Sequence, residues 1–211
     1  MTTARTLLRR TSLASLTAVT ALALGACGGS DNTDVAHTST ASAPAATATG
    51  RHNQADVTFA QQMIVHHRQA IEMAGMAQEH AHSSDVKALA VKIEKEQEPE
   101  IKTMSGWLKS WGEPVPKGTS TPGMDHHSPS AMPSMPGMMD DQQMRDMMHA
   151  SGKAFDTMFL TLMIKHHQGA IDMAKTEKKQ GVHGPARTLA GDIITTQSTE
   201  IAQMRKMLGS S

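Results

Sequence analysis

Two histidine pairs, each flanked by methionines, are the residues of this chain best suited to chemistry. His66 and His67 lie in one copy of a twelve-residue motif, and His166 and His167 lie in a second copy one hundred residues later. Both copies have the form Met-Ile-x-His-His-x-x-Ala-Ile-x-Met-Ala. Soft Cu(I) accepts thioether and imidazole, Cu(II) accepts imidazole and carboxylate, and Zn²⁺, Mg²⁺ and Ca²⁺ bind thioethers poorly. The doubled motif therefore predicts a copper site.

The motif is expected to form one face of a helix. At about 100° per residue, both histidines of each copy fall in the apolar stripe of an amphipathic helix, together with the flanking methionines. The candidate ligands in the helices are Met63, His66, His67, Met73, Met163, His166, His167 and Met173. An alternative stays open, because methionine at helical spacing also fills apolar cores and a buried histidine is often simply hydrogen-bonded.

A second helix follows in each copy and carries a carboxylate among apolar residues. Glu100 and Glu200 occupy matching positions within stripes of Leu, Ile and Met. Burying a carboxylate is unfavourable unless a partner compensates its charge. We expect the histidines of the facing helix to be these partners, so that each carboxylate fixes an imidazole tautomer, as carboxylates behind metal-bound histidines do.

The match between the copies continues without a gap as far as Leu108 and Leu208. Two helical hairpins, each with one apolar face, bury that face only by packing together. The predicted fold is all-α, an antiparallel four-helix bundle with pseudo-twofold symmetry that brings the four histidines to one level. Asp56 is the predicted N-cap of the first helix. The expected segments of the domain at 55–211 are repeat one at 55–111, a loop at 112–139 and repeat two at 140–211.

The segment between the repeats is rich in Pro, Gly, Ser and Thr, with Met and His among them. So many prolines exclude a helical face, and we expect an exposed loop without a packing role. Methionines spaced M-x-x-M-x-x-M-M suit a flexible chain that wraps a soft ion, with low-complexity drift as the alternative. The candidate ligands of the loop are His126, His127, Met132, Met135, Met138 and Met139. Deleting residues 120–139 should then hardly change thermal stability.

The N-terminal segment has the features of an export signal. Arginines precede a short apolar stretch, and the Leu-Gly-Ala-Cys sequence that ends at Cys27 resembles a bacterial lipobox. We predict a lipoprotein signal peptide at residues 1–26, lipidation of Cys27 and a flexible tether at residues 27–54. The mature protein would be held on the extracytoplasmic face of the cell membrane. Cys27 is the one cysteine of the chain, so no thiolate remains to bind a metal.

Several other classes of function find no support. The chain has 20 basic and 20 acidic residues, which gives no basic surface for nucleic acid. A phosphate-binding loop, a dinucleotide fingerprint and a Ser-His-Asp order are absent from the sequence. A ferritin-like di-iron enzyme needs paired Glu-x-x-His motifs, whereas only Glu79 and His82 fit that spacing, at a helix end. We therefore do not expect an enzyme.

The doubled motif, with Asp and Phe ahead of it and Gln-x-x-Glu-Ile-x-x-Met behind it, resembles a bacterial family catalogued as a domain of unknown function. The resemblance covers about residues 55–211. It implies a ferritin-like four-helix bundle and export from the cytoplasm. It also implies copper handling, because some members resemble CopM-type copper-binding proteins.

Two functions from different classes follow. The first is an exported lipoprotein that binds Cu(I) or Cu(II) through Met and His, for buffering, resistance or delivery to a partner protein. The second is a structural or interaction module of the cell envelope, in which the His–Glu pairs only specify the core. Copper uptake by protein purified without a histidine tag distinguishes the two.

Overall fold

The computed structural model describes residues 50–118 and 135–209, and these residues form five helices and no strand. The helices α1 to α5 span Gln54–His80, Ser84–Trp111, Asp141–His149, Gly152–Gln180 and Gly184–Leu208. The predictions for the signal peptide, Cys27, most of the tether, His126, His127 and Met132 lie outside the described residues. Within the described ranges, no helix is long and apolar enough to cross a membrane.

The predicted all-α bundle is confirmed. α1 and α2 form one hairpin and α4 and α5 form the other, each across a three-residue connection that makes its helices antiparallel. α1 also packs along α4, and the short helix α3 contacts both. This arrangement places the two histidine motifs against each other.

Buried side chains form two apolar clusters that are related by the hundred-residue repeat. One cluster combines Met63 with Met173, and the other combines Met73 with Met163. α1 and α4 must therefore run antiparallel, with the histidines between the two clusters along each helix. Other members obey the same relation: Phe59, Met104 and Ala190 in the first cluster, and Phe159, Met204 and Ala90 in the second.

A buried aspartate near the start of each motif helix binds the turn of the opposite hairpin. Asp56 accepts hydrogen bonds from the backbone N–H groups of Val182 and His183, at 3.1 and 2.9 Å. Asp156 accepts the matching pair, at 3.0 and 2.9 Å, from the turn between α1 and α2 at residues 82–83. We call these contacts the aspartate clasps, and they tie each hairpin to the other.

The prediction that Asp56 is the N-cap of α1 is wrong. Asn53 is the N-cap, and Asp56 is the third residue of the helix, where it accepts a hydrogen bond from the Asn53 N–H at 2.7 Å. The two residues form a reciprocal capping box. Asp56 therefore supports its own helix start and the opposite turn at once.

The inter-repeat segment is not the fully exposed loop that its composition suggests. After α2 the chain follows α1, where Gln61 donates to the Pro114 carbonyl (3.0 Å) and Arg68 donates to the Pro116 carbonyl (2.7 Å). Near its other end, the segment packs against α1 and α4 before α3 begins. The backbone carbonyls of the loop find donors on the helices, a pairing that leaves no periodic pattern in the sequence.

Asp156→Ala is expected to lower the free energy of unfolding by about 1–3 kcal/mol, because two backbone N–H groups lose their acceptor. Unfolding in urea, followed by tryptophan fluorescence, measures the change. Asp172→Ala on the same helix is the control, since the Asp172 side chain is 53% exposed. The control should change stability by less than about 0.5 kcal/mol. Equal effects of the two substitutions would show that the clasp does not stabilise the bundle.

Glu177 is a buried acid beside Asp56, and its counterpart in the first repeat is Ala77. Burial raises the pKa of Glu177 to about 8, together with a hydrogen bond to Asp56 and repulsion by its charge. Burial would also raise the pKa of Asp56, but hydrogen bonds from Glu177 and from backbone N–H groups lower it overall. The folded protein thus keeps a proton on Glu177 that the unfolded chain releases near pH 4.5.

The stability that this proton supplies is complete below about pH 4.5 and is lost as the pH rises through about 8. Glu177→Gln keeps a neutral donor toward Asp56, so its stability should not decline over this interval and should exceed that of the wild type at about pH 9. Urea unfolding at several pH values measures both curves. Glu72→Gln, on the exposed face of α1, should follow the wild type. Parallel curves for the wild type and Glu177→Gln would contradict the shared proton.

Candidate metal centre

The four motif histidines meet at the seam between α1 and α4, and all four are fully buried. The rings of His66 and His166 have their centroids 3.7 Å apart and their planes inclined by 39°. The ring of His167 follows at 6.5 Å from that of His166. The pseudo-twofold axis passes between His66 and His166, because these are equivalent positions. We call His66, His67, His166 and His167 the imidazole layer.

Two members of the layer are held by the glutamate of their own hairpin. His67 Nε2 lies 2.6 Å from Oε2 of Glu100, and His167 Nε2 lies 2.7 Å from Oε2 of Glu200. The hydrogen bonds expected of the two carboxylates are thus present. The pairs differ in exposure, since Glu100 is 19% exposed and Glu200 is 2% exposed. Lys92 gives Glu200 a second partner, at 2.7 Å.

Burial favours the neutral form of three of these imidazoles. Burial first, and then repulsion by the neighbouring imidazoles, lower the pKa of His66 to about 3 and that of His166 well below 6.5. Burial also lowers the pKa of His167, although Glu200 opposes this effect. Burial would raise the pKa of Glu200, but hydrogen bonds with His167, Glu96 and Lys92 bring it down to about 2. Neutral imidazole is the form that binds metals.

The hydrogen bonds determine which ring nitrogen keeps its lone pair. His66 Nε2 lies 3.1 Å from the carbonyl oxygen of Pro136, which only accepts, so Nε2 carries the proton. The Nε2 atoms of His67 and His167 face carboxylates and carry theirs for the same reason. The Nδ1 atoms of these three rings are buried without a hydrogen-bond partner, and His166 has no partner at either nitrogen. An unpaired buried polar group costs about 1–3 kcal/mol, so the layer is suited to receive a cation.

Nitrogen and oxygen ligands alone do not complete a metal site. Within the described residues, no three His, Cys, Asp or Glu side chains come together in a way that would hold a metal ion. Methionines precede and follow the histidine pair along each motif helix, and thioethers would have to complete the donor set. Of the buried methionines on the four long helices, Met63, Met104 and Met173 belong to one apolar cluster, and Met73, Met163 and Met204 belong to the other. Imidazole together with thioether fits copper better than Zn²⁺ or Mg²⁺.

Sequence reasoning does not single out Met104 and Met204 as ligand candidates, yet both are fully buried. They follow Glu100 and Glu200 by four residues, which is one helical turn. Their matching positions in the repeat were the available signal. That signal is indistinguishable from the spacing of ordinary core residues.

Residues 135–139 cross the seam at the imidazole layer, and we call them the strap. On the α1 side, the Pro136 carbonyl accepts the hydrogen bond from His66. Gln69 binds the backbone of Met139 twice, since its Nε2 donates to the carbonyl (2.9 Å) and its Oε1 accepts from the N–H (2.8 Å). One side-chain amide thus satisfies both backbone groups of a strap residue.

On the α4 side, the strap approaches the helix backbone closely at two glycines. A Cβ atom added to Gly137 would lie 2.6 Å from the Lys165 carbonyl oxygen and 2.9 Å from that of His166. A Cβ atom added to Gly169 would overlap the Pro136 carbonyl. Gly137 also has φ +80°, a conformation that side chains disfavour. The contact therefore requires glycine on both partners.

The expectation that the loop methionines are exposed and have no packing role is wrong for the described part of the loop. Met139 is 5% exposed and belongs to an apolar cluster, while Met135 and Met138 are half-buried. The expectation that deleting residues 120–139 leaves stability unchanged does not hold either, because Gln69 and His66 would lose their partners. The role of Met135, Met138 and Met139 as ligands stays a prediction.

The family model of the domain of unknown function DUF305 matches residues 56–208. This chain belongs to the DUF305 family. The resemblance inferred from the doubled motif is therefore confirmed. No curated protein matches the chain.

Solved structures of other DUF305 proteins share the fold. A DUF305 protein of Streptomyces coelicolor, described as secreted, is 31% identical, with a TM-score of 0.64 over 74% of this chain and 93% of that chain. CopM in its Cu(I)-bound form is 35% identical, with a TM-score of 0.59, and in its Cu(II)-bound form 34% identical, with a TM-score of 0.60. Both CopM matches cover 74% of this chain and 96% of CopM.

Glu200→Ala should lower the free energy of unfolding by about 1–3 kcal/mol, because the buried Nε2 of His167 loses its hydrogen-bond acceptor. Glu100→Ala should lower it by less, about 1 kcal/mol, since Glu100 is 19% exposed and water can replace part of its hydrogen bonding. Urea unfolding at neutral pH compares the two with Glu98→Ala, an exposed position of α2. An effect of Glu100→Ala as small as that of the control would mean that water replaces this carboxylate at no cost.

Proposed function

We propose that this DUF305 protein binds copper at the imidazole layer in the core of its bundle. One observation carries the proposal: four buried imidazoles meet with ring nitrogens that have no hydrogen-bond partner, on helices whose buried methionines precede and follow them. A copper ion would satisfy them. The ligands would be drawn from Met63, His66, His67, Met73, Met163, His166, His167 and Met173, with Glu100 and Glu200 orienting two of the rings.

The donor types favour copper over other biological cations. Hard cations such as Mg²⁺ and Ca²⁺ take oxygen ligands, and the carboxylates of Glu100 and Glu200 are already engaged by His67 and His167. A structural Zn²⁺ site is a closed set of four Cys, His or carboxylate ligands, and the described residues offer no such group of three. Cu(I) accepts two or three soft ligands and is compatible with a smaller set of imidazole and thioether.

The comparison with CopM supports the same metal. CopM has been solved with Cu(I), with Cu(II) and with silver bound, and it is 33–35% identical to this chain in these forms. Silver and Cu(I) are both soft monovalent ions, so a protein that holds both relies on soft ligands. The methionines around the imidazole layer would supply them here.

We further propose an exported protein that is anchored to the membrane by a lipid on Cys27, after cleavage of residues 1–26. The lipobox-like sequence and the secreted description of the Streptomyces coelicolor relative support export. The tether at residues 27–54 would let the bundle buffer copper near the membrane or pass it to a partner protein. The loop residues His126, His127, Met132, Met135, Met138 and Met139 would add further soft ligands. Full burial of the four histidines favours storage of an ion over catalysis on a substrate.

Titration of the tag-free protein with Cu(I), against a chromogenic Cu(I) chelator without oxygen, tests the proposal. The wild type should take up copper at micromolar concentration, and its melting temperature should rise, because a ligand of the folded state stabilises that state. The double variant His66→Leu with His166→Leu replaces ring nitrogens by apolar groups and should lose the rise in melting temperature. Zn²⁺ should raise the melting temperature less than Cu(I).

The thioether ligands are tested separately. The double variant Met63→Leu with Met163→Leu conserves core volume and should weaken Cu(I) binding by about tenfold or more. Met147→Leu is the matched control, since Met147 is equally buried but lies on α3. If Cu(I) binding is unchanged in both variants, the thioethers of Met63 and Met163 are not ligands. If the wild type takes up neither Cu(I) nor Cu(II), the copper proposal is wrong. The alternative function then remains, a structural or interaction module in which the His–Glu pairs only specify the core.

A further inference from the structure

We infer that the strap is a gate for metal exchange, and that Gln69 and Gly169 are positioning residues that hold it shut over the imidazole layer. The inference rests on the proposed copper site and adds how an ion reaches it. Four observations carry it. They are the hydrogen bond from the strap to His66, the two sites where the strap rests on α1 and α4 (its seats, Gln69 and Gly169), the difference between the two repeats at these seats, and the clefts beside the strap.

The strap contacts the imidazole layer itself. Pro136 is exposed to solvent, yet its carbonyl oxygen lies 3.1 Å from Nε2 of the fully buried His66. This strap residue therefore connects the protein surface to the buried ring. Lifting the strap would break this hydrogen bond and the two between Gln69 and Met139, and it would open the layer without unfolding α1 or α4.

The seats of the strap differ in kind on the two helices. On α1 the seat is a double hydrogen bond between the Gln69 amide and the Met139 backbone. On α4 the seat is Gly169, which has no side chain and therefore lets the Pro136–Gly137 backbone pack directly against the helix. Hydrogen bonds hold the strap in place, and the glycine gives it room.

The repeat departs from its own pattern at these seats. Residues 69 and 169 are equivalent positions within the motif, and they are Gln in the first copy and Gly in the second. The strap crosses the pseudo-twofold axis only once, so different strap residues contact the two equivalent positions. Position 69 meets the Met139 backbone and position 169 meets Pro136, and the two positions therefore need different side chains. Glutamine at 169 would collide with Pro136, and glycine at 69 would leave the Met139 backbone without its partner.

Clefts beside the strap lead toward a thioether. Pro136 lines one cleft of about 470 Å³ with Phe59 and Met173, and another of about 360 Å³ with Gly169. Met173 is 8% exposed, and it shares an apolar cluster with Met63, which precedes His66 by less than one helical turn. An ion that binds Met173 from solvent would reach the imidazole layer once Pro136 releases His66.

The rate of Cu(I) transfer from the loaded protein to a chromogenic chelator tests the gate. Gly169→Ala unseats the strap by steric overlap, and Gln69→Ala unseats it by loss of two hydrogen bonds. Gly106→Ala is the matched control, because a Cβ atom added to this helical glycine meets nothing within 4 Å. In metal-free protein, the rate at which diethyl pyrocarbonate modifies His66 and His166, followed by mass spectrometry, reports access to the layer.

Both unseated variants should release Cu(I) and react with the reagent about tenfold faster than the wild type, while Gly106→Ala matches the wild type. If Gly169→Ala does not fold, the Cu(I) release and histidine modification rates of Gln69→Ala are sufficient to test the gate. Wild-type rates in a folded, copper-binding variant would overturn the gate and leave the copper site intact. Absence of copper uptake by every protein, the wild type included, would overturn the proposed function and the gate together.

Discussion

A neutral imidazole that is shut off from water must give its N–H to an acceptor, and it keeps a lone pair that needs a donor or a cation. The seam between α1 and α4 buries four imidazole rings, and the lowered pKa values of His66, His166 and His167 impose this condition on three of them. Acceptors for three of the N–H groups come from Glu100, Glu200 and the Pro136 carbonyl. The remaining ring nitrogens have no hydrogen-bond partner among the described residues. A protein whose core needed only packing would have little reason to retain such positions, because a leucine in each would avoid the cost.

The repeat builds the seam, and its departures make the two halves of the seam different. Lys92 neutralises Glu200, whereas the residue at the equivalent position of the second copy is the acidic Asp192. Glu100 gains no matching cation from that position, and it is 19% exposed. Two rings that are equivalent in sequence thus stand in different electrostatic surroundings.

The sequence predicted those parts of the structure that depend on periodicity. Helical phasing placed the histidines and Glu100 and Glu200 on facing stripes, and the structure joins them by hydrogen bonds. The strap could not be predicted in this way, because its contacts use backbone carbonyls and the missing side chain of Gly169. The difference between Gln69 and Gly169 was visible in the motif, but without the crossing chain it carries no structural meaning. Asp56 was misplaced by three residues because an aspartate suits the N-cap and the third helical position alike.

The aspartate clasps bear on how such a chain could have arisen. Each clasp joins a motif helix to the turn of the other hairpin, so a single hairpin leaves both its aspartate and its turn without a partner. Two copies of one hairpin would complete both clasps around the axis between His66 and His166, which is the geometry of an isologous homodimer. The present chain has the geometry of such a dimer joined into one chain. In a single chain the two halves can differ in sequence. A strap that crosses the axis only once requires this difference, because two identical subunits would each supply the same strap.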